Sequence, residues 1–120
     1  MKKKALDNTE LEIGKANILV EIIEYVPNSV VSKTIIKKPT GSIHILSFDK
    51  GEGLTEKTSP FDIFSQIIEG KAEIVIDNIS NYMESGMVII IPAHLPNYIK
   101  PNGRFKMVQT IIKSGYEEWS

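Results

Sequence analysis

The chain has 120 residues, of which 42% are hydrophobic and 24% are charged, and this composition is typical of one globular domain. Its 14 basic and 15 acidic residues nearly cancel, so no overall charge favours nucleic acid or a membrane surface as a partner. Because cysteine is absent, disulfides, thiolate metal sites and cysteine nucleophiles are excluded. The longest apolar run, residues 87–92, is too short to span a membrane, and no signal-peptide pattern follows the N-terminal lysines. We therefore expect a cytoplasmic protein.

Residues 1–28 predict an N-terminal arm that ends in a short helix. Ile18, Ile22 and Tyr25 recur at helical spacing, although the β-branched residues around them also fit a strand. We favour the helix and expect it to end before Pro27, because a proline disfavours helical backbone in the residue before it. The remaining residues, 29–120, predict one β domain.

From residue 29 onward, short β-branched segments alternate with turns rich in glycine, proline, asparagine or aspartate. The predicted strands are 29–37, 42–48, 54–58, 62–68, 72–77, 82–83, 88–91, 97–99 and 104–113. Many short strands at this spacing indicate an all-β sandwich or a closed barrel, and closure removes exposed strand edges. His44 shares its strand parity with Leu46 and Phe48, so we expect it to be a hydrogen-bonded core or interface histidine.

Two stretches each contain a glycine turn that leads into a strand with spaced polar residues. They are GEGLTEKTSPFDIFSQIIEG at 51–70 and GMVIIIPAHLPN at 86–97. These stretches resemble the two signature motifs of the cupin superfamily, and the whole region 42–113 is similar to small single-domain bacterial cupins. The resemblance implies a double-stranded β-helix (jelly-roll) barrel, usually a homodimer, which holds any ligand in the barrel mouth.

The resemblance also indicates which residues stand where the family usually holds a metal with three histidines and a glutamate. They are Lys57, Ser59, Ile63 and Asn97. An ammonium has no lone pair, an isoleucine has no polar atom, and a hydroxyl and an amide are weak neutral donors, so this set would not hold a divalent transition metal. We expect no metal and no other cofactor. A rescue would have to come from Asp62, from His94, or from Glu56 if a bulge put it in place of Lys57; otherwise Glu56 faces solvent.

Lys57 has several interpretations. If it points into an apolar barrel, desolvation lowers the pKa of its amine unless an acid or an anion compensates. In the first interpretation, its aliphatic stem extends to the mouth and keeps the amine in water. In the second, the amine binds an anionic ligand or Asp62. In the third, it forms a Schiff base with a carbonyl compound. His94, in a turn flanked by prolines, is either a rim residue that contacts ligand or a surface residue without a role.

The sequence predicts a metal-independent domain that binds a small molecule in the barrel mouth. The predicted pocket residues are Lys57, Ser59, Asp62, Ile63, His94 and Asn97. The alternatives are a metal-dependent isomerase or dioxygenase with unusual ligands, or a regulatory or sensory dimer domain, so the sequence leaves open whether the protein is an enzyme. We expect a homodimer with an unidentified small molecule as ligand, and neither nucleic acid nor a membrane as a partner.

Overall fold

The computed structural model describes residues 6–7 and 10–113, and more than half of these residues lie in strands. The strands are β1 (Leu6–Asp7), β2 (Val30–Lys38), β3 (Gly41–Phe48), β4 (Leu54–Lys57), β5 (Asp62–Ile76), β6 (Ile79–Glu84), β7 (Val88–Ile91), β8 (Asn97–Ile99) and β9 (Phe105–Ile112). They form one curled, mainly antiparallel sheet, so the prediction of an all-β barrel is confirmed. Residues 1–5 and 8–9 of the predicted arm and residues 114–120 of the predicted domain lie outside the described residues.

The short helix predicted within residues 1–28 is present, but it is shorter than the helical spacing suggests. The helical part of this segment, among the described residues, is a single 3₁₀ turn at Leu19–Glu21. Ile23 is buried against the outer face of the sheet, and Lys106 donates from Nζ to the carbonyl oxygen of Val20 at 2.6 Å. Docking on the sheet therefore outweighs the local helical spacing. The described residues contain no helix long and apolar enough to cross a membrane.

The longest strand, β5, connects the two halves of the sheet. Its first half pairs with β7 and β9, and its second half pairs with β6 and β8. The sequence predicted two strands here with a turn at 69–71, and this prediction is wrong because the strand runs through Gly70 without a break. A register shift between Ile67 and Glu69 bends the strand instead, so that both halves enclose the same interior.

The glycines of the two motifs are required by the backbone. Gly51, Gly70 and Gly86 all have positive φ angles, +84°, +80° and +95°, which residues with a Cβ rarely adopt. At Gly70 an added Cβ would also lie 2.3 Å from the carbonyl oxygen of Arg104. The glycines that carry the family resemblance in these turns are thus needed for the fold of the barrel.

One end of the barrel interior is filled by two aromatic rings. Phe48 and Phe105 are buried partners across β3 and β9, and their ring centroids lie 4.2 Å apart in a stacked arrangement. Beside them, Asp49 accepts hydrogen bonds from the backbone N–H of Asn28 at 2.7 Å and from Nε of Arg104 at 2.8 Å. These two bonds hold the pKa of Asp49 at about 2. We call this the closed end.

The opposite end is formed by residues 57–63 and 92–97, and we call it the mouth. It lies at the far end of β9, because Phe105 begins that strand whereas Ile112 ends it and pairs with Asp62. Buried apolar side chains fill the space between the two ends. They include Leu46, Ile63, Ile67, Ile74, Ile91, Ile99 and Met107.

Candidate functional site

Two loop segments at the mouth lie side by side and are joined by three hydrogen bonds. Nδ2 of Asn97 donates to the carbonyl oxygen of Lys57 at 3.2 Å, the N–H of His94 donates to the carbonyl oxygen of Ser59 at 2.7 Å, and the N–H of Ala93 donates to Oδ1 of Asp62 at 2.8 Å. The structure therefore brings the two motifs together, with Lys57 opposite Asn97 at the inner edge of the mouth.

Asn97 is a buried polar residue whose hydrogen bonds are only partly satisfied. Its side chain is on the same face of β8 as the core residue Ile99, and the residue is only 1% exposed. Nδ2 donates to the carbonyl oxygens of Lys57 and Leu95, each at 3.2 Å, which fixes the orientation of the amide. Oδ1 then has no hydrogen-bond partner among the described residues. Asn97 thus presents an unpaired acceptor to the interior.

A β-bulge in β4 decides which residue of that strand faces Asn97. Leu54 packs on the core and pairs with Ile99, so regular alternation would place Glu56 next on the inner face. The register shifts between Leu54 and Lys57, so the four residues 54–57 of β4 oppose the three residues 97–99 of β8. The sequence left open a bulge that would put Glu56 in the place of Lys57. A bulge is present, but it places Lys57 opposite Asn97.

The Lys57 side chain is accessible to water and yet surrounded by protein. Directly opposite residues in an antiparallel pair share a face, so Lys57 lies on the inner face with Asn97. The residue is exposed, but nearby protein desolvates its ammonium and lowers the pKa of the amine. Exposure together with desolvation is typical of a group in a concave opening. No carboxylate among the described residues forms an ion pair with it.

The other predicted pocket residues take part in the local structure of the mouth. Oγ of Ser59 accepts a hydrogen bond from the N–H of Phe61 at 3.0 Å, and Asp62 accepts from Ala93 as described above. Ile63 is buried in the apolar core. His94 is exposed on a turn and has a φ of +71°. The contact of any of these residues with a ligand stays a prediction.

A row of polar side chains crosses four strands on the inner face, one layer below the mouth. Its members, which we call the polar row, are Thr34, His44, Gln109 and Ser65, each the direct partner of the next across β2, β3, β9 and β5. They share the faces of apolar core residues, such as Leu46 on β3 and Met107 on β9. Polar side chains at this depth are unusual in an otherwise apolar interior.

Hydrogen bonds connect Thr34 with His44, and Gln109 with Ser65, within the polar row. Nδ1 of His44 lies 3.3 Å from Oγ1 of Thr34, and Nε2 lies 2.8 Å from Oγ of Ser42, which confirms the hydrogen-bonded histidine expected from the sequence. Gln109 donates from Nε2 to Oγ of Ser65 at 3.3 Å. Desolvation, followed by the charges of two nearby lysines, lowers the pKa of His44 and favours the neutral ring.

Sequence reasoning did not identify the polar row as part of the site. Ser42 and His44 alternate with the same period as the core residues of β3, and Gln109 does so on β9. This alternation was the one sign in the sequence that their side chains face the interior. The row becomes visible only when the register of all four strands is known.

The residues at the family's metal-ligand positions do not fit a divalent transition metal. Lys57 offers an ammonium, Ile63 is apolar, the hydroxyl of Ser59 already accepts a backbone hydrogen bond, and Asn97 supplies one neutral oxygen. Within the described part of the chain, no three histidine or acidic side chains lie close enough together to hold a metal ion. The donor chemistry of this site is that of hydrogen bonding and charge.

Comparison with known proteins gives matches at the level of structure. No family model matches the sequence, and no curated protein does. A conserved protein of unknown function from Streptococcus pyogenes is 26% identical with a TM-score of 0.82, and the alignment covers 88% of this chain and 93% of that one. A cupin superfamily protein from Desulfitobacterium hafniense is 28% identical with a TM-score of 0.80, and the alignment covers 88% and 96%.

A third solved structure contains a longer chain. It is a cupin 2 conserved barrel domain protein from Leptotrichia buccalis, 29% identical with a TM-score of 0.76, and the alignment covers 79% of this chain and 46% of that one. The curled antiparallel sheet of this chain matches the barrels of these solved structures. The chain is therefore a small cupin-domain protein of the cupin superfamily.

Proposed function

We propose that this chain binds a small molecule in the mouth of its barrel without a metal, and that Lys57 and Asn97 contact the ligand. The observation that carries the proposal is the unpaired Oδ1 of Asn97 on the inner face. A buried acceptor without a donor costs about 1–3 kcal/mol. A ligand that donates a hydrogen bond to this oxygen recovers that free energy on binding.

The position of the site within the barrel supports the proposal. The stacked rings of Phe48 and Phe105 fill the closed end, whereas Lys57 at the opposite end is accessible to water. The polar row makes the layer below the mouth more polar than the rest of the interior. A few convergent polar groups beside a mostly apolar interior are typical of a small-molecule site.

Thermal stabilisation by ligands tests the proposal. A panel of charged and neutral metabolites is screened against the wild type, Lys57→Met, Asn97→Leu and the control Lys71→Met, which changes an exposed lysine of β5. We expect at least one compound to raise the melting temperature of the wild type and of the control, and to lose this effect in both site variants. Stabilisation of all four proteins alike would place the ligand elsewhere, and stabilisation of none would favour a regulatory domain that acts by protein contact.

Elemental analysis tests the absence of a metal separately. We expect purified protein to contain far less than one equivalent of iron, manganese, nickel or zinc, and treatment with a chelator to leave its melting temperature unchanged. A stoichiometric metal that is lost in Asn97→Leu would overturn the proposal in favour of a metal-dependent enzyme with unusual ligands.

A further inference from the structure

Lys57 differs from Lys100 and Lys106 in that no carboxylate among the described residues forms an ion pair with its ammonium. Nζ of Lys100 lies 3.2 Å from Oε2 of Glu73, and Nζ of Lys106 lies 3.9 Å from Oε2 of Glu69. The described residues supply no such carboxylate to Lys57, although the surrounding protein desolvates it. An anion that reaches the inner face of the mouth would therefore gain a charged hydrogen bond with little competition from the protein.

The neighbouring oxygen of Asn97 limits which anions fit. Oδ1 is an acceptor whose amide is fixed by two hydrogen bonds from Nδ2, so the side chain cannot turn its nitrogen toward the interior without losing both. Two acceptor oxygens repel each other at contact distance. A bare carboxylate against Lys57 would leave Oδ1 unpaired or would be repelled by it, whereas an adjacent O–H or N–H of the same molecule would pair with it.

We propose that the ligand is a small organic carboxylate with a hydroxyl or N–H donor next to the carboxylate, which binds with its charge on Nζ of Lys57 and its donor on Oδ1 of Asn97. This inference rests on the proposed function, because it names the class of ligand for the same site. The two groups stand on directly opposite residues of β4 and β8, whose Cβ atoms lie about 5 Å apart in such pairs. One small molecule spans that distance.

The competing arrangement needs no ligand. In it, the ammonium of Lys57 turns onto Oδ1 of Asn97, and each satisfies the other. A carboxylate would then have to displace this contact, and a donor on the ligand would bring no advantage. Matched pairs of acids separate the two arrangements, because only the first arrangement distinguishes a hydroxy acid from its parent acid.

Calorimetric titration of the full chain with matched compounds tests the inference. The probes are lactate against propionate, malate against succinate, and methyl lactate as the neutral counterpart of lactate. We expect the hydroxy acids to bind at least about tenfold more tightly than their parent acids, and methyl lactate to bind at least about tenfold more weakly than lactate. Lys57→Met is expected to lose binding of every acid by at least about tenfold, and the control Lys71→Met to retain it.

Heteronuclear NMR gives a local readout that does not depend on the folding of a variant. Addition of a hydroxy acid should shift the side-chain amide resonances of Asn97, and addition of the parent acid should shift them less. Equal affinity of acids and neutral esters, or unchanged affinity in Lys57→Met, would overturn the ligand class while leaving the proposed function intact. Failure of every acid to bind overturns the inference, and the proposed function fails with it only if the neutral compounds of the thermal panel also fail.

Discussion

Asn97 donates a hydrogen bond from Nδ2 to the carbonyl oxygen of Lys57, the residue directly across from it in the neighbouring strand. The bond fixes the backbone of Lys57 at the end of β4, and it leaves Oδ1 of Asn97 on the same inner face as the lysine side chain. The amide thus positions a cation and presents an acceptor beside it. These are two of the positions at which the resemblance to cupins implies metal ligands.

Replacement of Lys57 by methionine should stabilise the protein at neutral pH. The pKa of Lys57 is lowered from 10.5 in the folded state, so the charged amine opposes folding wherever it is protonated in both states. Between the folded value and 10.5 the unfolded chain binds more protons, and the stability of the wild type therefore rises with pH. We expect urea unfolding to show a higher midpoint for Lys57→Met at pH 7, with the difference shrinking as the pH approaches 10.5.

The exposed Lys71 provides the control for this measurement. Lys71→Met removes the same charge from a site on β5 opposite Glu84, and we expect no stabilisation there. A lower unfolding midpoint for Lys57→Met than for the wild type at pH 7 would contradict the desolvation of Lys57.

Truncation of Asn97 should destabilise the fold. Asn97→Ala removes the donor to two carbonyl oxygens at a buried position, but it also removes the unpaired Oδ1, so we expect a net loss of about 1–2 kcal/mol in the free energy of unfolding. Chemical denaturation at pH 7 measures this change.

Asn81 is a matched comparison for Asn97. Its Nδ2 donates to the carbonyl oxygens of Ile74 and Ile79 at 3.2 and 3.1 Å, but it lies near solvent, so water can replace the lost donor. We expect Asn81→Ala to cost less than about 1 kcal/mol. Equal losses for the two variants would show that the buried position of Asn97 has no special importance.

His44 should make the stability of the protein sensitive to mild acid. Because its pKa is lowered from 6.5 in the folded state, the unfolded chain takes up a proton first as the pH falls, and stability decreases below about pH 6.5. We expect His44→Asn to lose less stability between pH 7 and pH 5 than the wild type, as measured by thermal melting. His94→Asn changes an exposed turn residue at a φ that asparagine tolerates, and it should melt at the wild-type temperature at pH 7.

Alanine substitutions at three glycines should differ in cost according to their backbone geometry. Gly70→Ala combines a positive φ with a Cβ placed 2.3 Å from the carbonyl oxygen of Arg104, so we expect a loss above about 2 kcal/mol. Gly51→Ala meets open space at φ +84°, and should cost about 1 kcal/mol. Gly103→Ala has neither problem, and its free energy of unfolding should stay within about 0.5 kcal/mol of the wild type. Any other order, measured by urea denaturation, would be inconsistent with the described turns.

The fold could be predicted from the sequence because the motif glycines mark turns with positive φ, and such turns depend only on the local backbone. Gly51 and Gly86 can be recognised without knowing what packs on them. The helix predicted before Pro27 is only a single 3₁₀ turn, because packing on the outer face of the sheet decides the structure of most of that segment. That contact joins residues far apart in the chain, and no local pattern contains it.

The site was predictable only in part. Asn97 followed from the spacing of the second motif, but the inward placement of Lys57 depends on a bulge, and regular alternation from Leu54 would have placed Glu56 there. His44 and Gln109 stand on β3 and β9, which are far apart in the sequence, and their adjacency follows from register alone. Register of this kind is a property of the folded sheet, which a single sequence does not reveal.

If the mouth binds a small molecule as proposed, the stack of Phe48 and Phe105 restricts the path of that molecule. With two packed rings across the far end, a molecule that enters beside Lys57 has no second exit and must leave by the way it came. Exchange of one occupant for another is then strictly sequential. A ligand with a long tail must extend that tail outward past residues 92–97 into water, so its length beyond the polar head should matter little for affinity.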